Sequence, residues 1–164
     1  MDVGDWITLG AVIVALSIGV ASILHTQNLQ KKERKERLSN EIIEWAEDIR
    51  RSSSESIDPN KIEFDAQPMQ IASQMDFLRL RKRYQDLNTK SAYMKEAISK
   101  AFGDNLLSAV EKVIQKLDEA IEILEGCITS KAKENSEKVE KYKRSLDCCA
   151  EELIIEATKI KAEL

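Results

Sequence analysis

The chain has 164 residues, a third of them charged, with a single His, five Gly, two Pro and few aromatics. That composition belongs to long helices and excludes a sandwich, a barrel or a Gly-rich nucleotide fold. The formal charge of −4 is unevenly laid out: every Lys and Arg lies at or after Lys31, and the first thirty residues carry only Asp2 and Asp5.

Trp6 to Gln30 is free of charge, with His25 counted as neutral. Its core, Trp6 to Leu24, spans roughly 28 Å as a helix, against about 30 Å for the hydrocarbon layer of a bilayer. The sequence therefore predicts a transmembrane helix over 6–28, preceded by a short extracytoplasmic N-terminus, 1–5. Ser and Thr in this stretch can return their hydroxyls to the helix's own carbonyls, and Trp6 suits the membrane interface. A cleaved signal peptide is the competing reading, since Gly19, Val20 and Ala21 are small. It wants a basic start, whereas Met1 to Asp5 is acidic. Lys31, Lys32, Arg34, Lys35 and Arg37 crowd one flank and no base lies on the other, so the N-terminus is expected outside and the rest in the cytoplasm. The same five side chains are the expected contact to lipid headgroups. Ala11, Ala15 and Gly19 recur four apart, with Ser22 near the same face. Small residues at that spacing let membrane helices approach, which makes a homo-oligomer a candidate assembly.

Helical periodicity starts directly after the basic flank. Leu38, Ile42, Trp45 and Ile49 form one stripe of a juxtamembrane helix over 29–54, with no signal for a fresh start. Ser52, Ser53 and Ser54 should end it, and Asp58-Pro59-Asn60 lies in a loop over 55–67. Pro68 can open the next helix. Leu80, Tyr84, Leu87, Ser91, Met94, Ile98 and Ala101 carry its stripe across a candidate irregularity at Asn88-Thr89, with Ile71, Met75 and Leu78 slightly out of phase upstream. Gly103 fits a C-terminal cap and Asp104 an N-cap. Leu107, Val110, Ile114, Leu117, Ile121 and Leu124 mark a third helix that Gly126 should end. Val139, Tyr142, Leu146, Cys149, Leu153 and Ile160 mark a fourth. The expected fold is all-α: one N-terminal transmembrane helix, then a cytoplasmic antiparallel, coiled-coil-like bundle in which 68–164 packs with the juxtamembrane helix.

Reactive groups are scarce. His25 has no acid within a helical turn, and a catalytic His needs such a partner. Cys127, Cys148 and Cys149 offer no C-x-x-C pair, and one His with these thiols makes no metal set. Glu41, Glu44 and Asp48, like Asp118, Glu122 and Glu125, lack the Glu-x-x-His of a di-iron bundle and read as solvated faces. No phosphate loop, nucleophile elbow or kinase signature occurs. No catalytic residue, cofactor or metal is expected. The cluster Arg79, Arg81, Lys82 and Arg83 is a candidate partner patch; with a net acidic body around it, nucleic acid is a poor fit. The functional expectation is a non-enzymatic, membrane-anchored scaffold or interaction module, with the bilayer and an unidentified protein as partners. The alternatives are an oligomeric single-span effector or channel subunit, and a helical signal relay.

Overall fold

The computed structural model describes residues 3–54, 67–102, 104–129 and 132–164, with side chains described over 12–54, 75–102, 104–127 and 138–164. The chain is all-α, with no strand among the described residues. The described residues form, in order, α1 Val3–Ser54, α2 Gln67–Thr89, α3 Ser91–Ala101, α4 Asp104–Thr129 and α5 Ala132–Glu163.

Helix α1 divides into two physical regimes without a break. From Val12 to Arg34 every side chain is exposed, including Ile13, Leu16, Ile18 and Ile23. From Leu38 onward the same helix buries a stripe: Leu38, Ile42, Trp45, Ala46 and Ile49. The apolar part is long and apolar enough to cross a membrane, and none of it from Val12 onward is buried within the chain. Ser17 Oγ donates to the Ile13 carbonyl at 2.8 Å and Thr26 Oγ1 to the Ser22 carbonyl at 2.9 Å, so these hydroxyls are satisfied within the helix.

The buried half of α1 packs against α5 most extensively, α5 against α4, and α4 against α2 and α3. Cross-helix pairs fix the direction of each neighbour. On α1 and α2–α3, Ser53 meets Tyr84, Trp45 meets Leu87, Glu41 meets Tyr93 and Lys35 meets Phe102. One number falls as the other rises, so the helices are antiparallel. Between α2–α3 and α4 the rungs are Arg81 to Glu125, Asn88 to Asp118 and Lys95 to Glu111, each seven residues from the next on both helices. Arg50 pairs with Asp147 on α5 at 3.0 Å. The result is an up-down-up-down bundle in which the C-terminal end of α3 lies at the Lys35 end, beside the apolar segment. The C-terminal ends of α1 and α4 lie at the opposite, distal end.

Three expectations need correction. First, the stripe does carry across the irregularity at Asn88-Thr89, with Leu80, Tyr84, Leu87, Met94 and Ile98 buried, but over two helices, α2 and α3, separated at Lys90, rather than one. The Lys90 amide donates back to the Leu87 carbonyl at 3.3 Å, and the buried Trp45 indole donates to that same carbonyl at 3.0 Å. A cross-helix donor thus serves an acceptor at the break, which keeps a buried backbone group satisfied. Second, Gly126 does not end its helix, because α4 runs on to Thr129 and Cys127, one residue later, is buried. Third, Met75 and Leu78 lie largely on the surface, and the upstream core position of α2 is Phe77, fully buried. The expected loop, apart from Gln67 at the start of α2, and Gly103 fall outside the described residues.

The core face of α4 is Leu106, Val110, Val113, Leu117, Ala120, Leu124 and Cys127, a strict alternation of four and three. Leu107, Ile114 and Ile121 of the predicted stripe sit on its flank, half-buried. On α5 the matching face is Val139, Lys143, Leu146, Ala150, Leu153 and Ala157. Lys143 holds a core position because its alkyl stem is buried while Nζ reaches Glu140 Oε1 at 2.8 Å.

Candidate functional site

The basic residues after Gln30 are not a featureless collar. Helical spacing spreads Lys31, Lys32, Arg34, Lys35 and Arg37 around α1, and all are exposed except the half-buried Lys35. The Lys35 ammonium lies 5.8 Å from the centre of the Phe102 ring, at the end of α3. That contact brings the last turn of α3 alongside the basic turns of α1.

Between the two helices lies a groove of about 580 Å³. Its rim carries Lys31, Arg34, Lys35 and Arg37 from α1 and Lys100 from α3; its apolar surface comes from Leu38, Tyr93, Ala97 and Ala101. Glu41 is the one acid in the lining, and it is engaged: the Tyr93 hydroxyl donates to Glu41 Oε2 at 3.2 Å. This bond holds the Tyr93 phenol above its ordinary range, since ionising it would set two anions together, while Arg34 pulls the other way. Lys100 Nζ also donates to Glu96 Oε1, which lowers the Glu96 carboxyl. The groove therefore presents an apolar floor under a strongly positive rim. Of its ten lining residues, the sequence reading assigned a site role only to the basic residues of α1. The α3 wall was hidden because its pairing to α1 is a tertiary fact.

The second predicted cluster is placed elsewhere. Tyr84 lies against Ser53, so Arg79, Arg81, Lys82 and Arg83 sit at the distal end, roughly 30 Å along the bundle from Arg34. The cluster is also divided. Arg81 turns to α4 and pairs with Glu125, Arg79 reaches Asp76 at 3.6 Å, and Lys82 and Arg83 are exposed. The acids Asp118 and Glu125, read from sequence as a solvated face, thus serve the α2–α4 contact.

Among the small residues of α1, Ala15, Gly19 and Ser22 are exposed on one face, and a methyl at Gly19 would meet nothing within 4 Å in this chain. The side chain of Ala11 lies outside the described residues. His25 is exposed on the same helix. Cys127 is buried and Cys149 half-buried, and burial raises both thiols above their ordinary value; Cys148 is exposed. Among the described residues no group of three or more His, Cys, Asp or Glu is placed to hold a metal ion.

No protein-family model matches the chain, and no curated protein or solved structure is recognisably similar to it.

Proposed function

We propose that the protein is a single-pass, membrane-anchored helical scaffold whose bundle stands on the cytoplasmic face and presents its surface to a protein partner. One observation carries the reading: a single helix passes from an apolar segment with no burial inside the chain straight into the bundle core, with a basic turn at the junction. An apolar surface of that length is unstable in water and stable in a bilayer. The basic turn sets the cytoplasmic orientation and draws anionic headgroups. We read the role as non-enzymatic from the side-chain inventory: the sequence has one His, on the exposed apolar stretch, and no phosphate loop or nucleophile elbow. The unpacked face of Ala15, Gly19 and Ser22 supports a second reading, self-association through the membrane helix as an oligomeric effector.

The test is fractionation of cells expressing the full chain, followed by protease digestion of sealed vesicles. A chain that resists alkaline extraction and whose C-terminal tag is cut only from the cytoplasmic side fits the proposal. Release by alkali, or a tag cut only from outside, refutes it. Mass measurement in detergent then separates the two readings: a monomer or dimer fits the scaffold, and a higher ring fits the effector.

A further inference from the structure

We propose that the groove between α1 and α3 is a binding site for the headgroup of an anionic phospholipid. This rests on the membrane-anchored reading above and gives the groove its ligand. The first argument is position. The charge-free stretch ends at Gln30, and the groove's rim begins one residue later at Lys31. The cleft therefore opens where headgroups are concentrated and where few soluble ligands compete.

The second argument is chemistry. Five bases line the groove against one carboxylate. That carboxylate, Glu41, accepts the Tyr93 hydroxyl and lies ten residues above Lys31, about 15 Å along the helix. Within the lining the carboxylate thus sits at the far end, and the end nearest the apolar segment carries Lys31, Arg34 and Lys35 from α1 and, from α3, Lys100, whose ammonium also donates to Glu96. A simple inorganic anion would have no use for the floor of Leu38, Ala97 and Ala101 or for the exposed ring of Tyr93. A phospholipid would use both, with its phosphate among Arg34, Lys35 and Lys100 and its glycerol and upper acyl carbons against the floor. The volume suits one small amphiphile.

The experiment uses the full chain in zwitterionic detergent micelles, followed by backbone amide NMR. Dihexanoyl phosphatidylserine is titrated in one arm, dihexanoyl phosphatidylcholine in a second and inorganic phosphate in a third. The expected result is saturable shifts at Tyr93, Ala97 and Lys100 with phosphatidylserine alone. Arg34→Glu with Lys100→Glu should weaken binding about tenfold or more. Both side chains lie on the surface, so the melting temperature should hold; the Gln versions, which add no repulsion, should give a smaller loss. Arg79→Glu with Lys82→Glu makes the same change in net charge at the distal end and should leave binding intact. Equal binding of phosphatidylcholine, saturation by inorganic phosphate alone, or equal loss in the distal variant would each overturn the proposal. Alkaline extraction of the same chain from membranes reads the anchor independently. A chain that stays in the membrane yet shows no phosphatidylserine preference loses the groove assignment alone.

Discussion

Two buried hydroxyls show how a single polar atom sets local energetics in this bundle. Tyr84 is buried with its hydroxyl 3.3 Å from Ser53 Oγ, and burial pushes the phenol up to about 12 from an ordinary value of 10. A group with a raised native pKa keeps its proton in the fold after the unfolded chain has lost it. Its contribution to stability is therefore complete below pH 10 and is lost as pH rises from 10 to 12. The loss amounts to about 2–3 kcal/mol across that window. Denaturant melts of Tyr84→Phe should show a shallower fall over pH 10–12 than the parent chain; identical slopes would place the phenol in water. Ser39 offers the opposite case. It is fully buried and its Oγ has no hydrogen-bond partner. A stranded hydroxyl costs roughly 1–3 kcal/mol, and Ala is the better helix former. Ser39→Ala should raise the melting temperature, and a fall would show that the hydroxyl is served.

At the scale of the element, the sequence foretold helices well and helix faces less well. The α1 stripe, Leu38, Ile42, Trp45 and Ile49, is buried as its spacing predicts, because one narrow apolar stripe leaves one choice. On α4 two apolar rows run side by side. Leu107, Ile114 and Ile121 repeat every seven residues beside Val110, Leu117 and Leu124, and the true seam adds Leu106, Val113 and Ala120. Spacing alone cannot say which row is innermost; that depends on where α2 and α5 lie. Lys143 was missed on α5 because hydropathy scores its ammonium and ignores its stem. The break at Lys90 falls beside Asn88-Thr89, where the sequence suggested an irregularity; that its Leu87 acceptor is served by Trp45, 42 residues away, was not legible. For the same reason half of the candidate groove was illegible: Tyr93, Ala97 and Lys100 gain meaning only once α3 lies beside Lys35. These faces can be tested by rank. Leu117→Ala, at a fully buried site, should cost about 2–5 kcal/mol, and Leu107→Ala, on the flank, distinctly less. Equal costs would return the core to the simpler stripe. Gly126→Ala should stabilise α4 by about 1 kcal/mol, since the site is helical and a methyl there meets nothing within 4 Å; destabilisation in a thermal melt would mean that Gly126 is needed for close approach.

For the whole molecule, the decisive feature is that burial and apolarity are separated along one helix. Side chains from Val12 to Arg34 contribute nothing to the core, whose first residue is Leu38. The bundle closes its ring between α1 and α5 through Arg50 and Asp147, an ion pair of two half-exposed side chains that aligns the helices more than it stabilises them. Its cohesion comes instead from the apolar seams of α1, α2, α3, α4 and α5. Removing residues 1–30 should then leave that cohesion intact. Residues 31–164 alone should be soluble and strongly helical, and should melt cooperatively within a few degrees of the detergent-held full chain. Circular dichroism and sedimentation check this directly. The same deletion should leave only weak, salt-sensitive membrane association, because the remaining basic turn offers only a screened electrostatic attraction of about 1 kcal/mol per nearby base. High salt should therefore strip residues 31–164 from anionic vesicles while leaving the full chain in place. If the shortened chain aggregated or melted far below the full chain, the apolar segment would be part of the core, and the division of α1 into anchor and scaffold would fail.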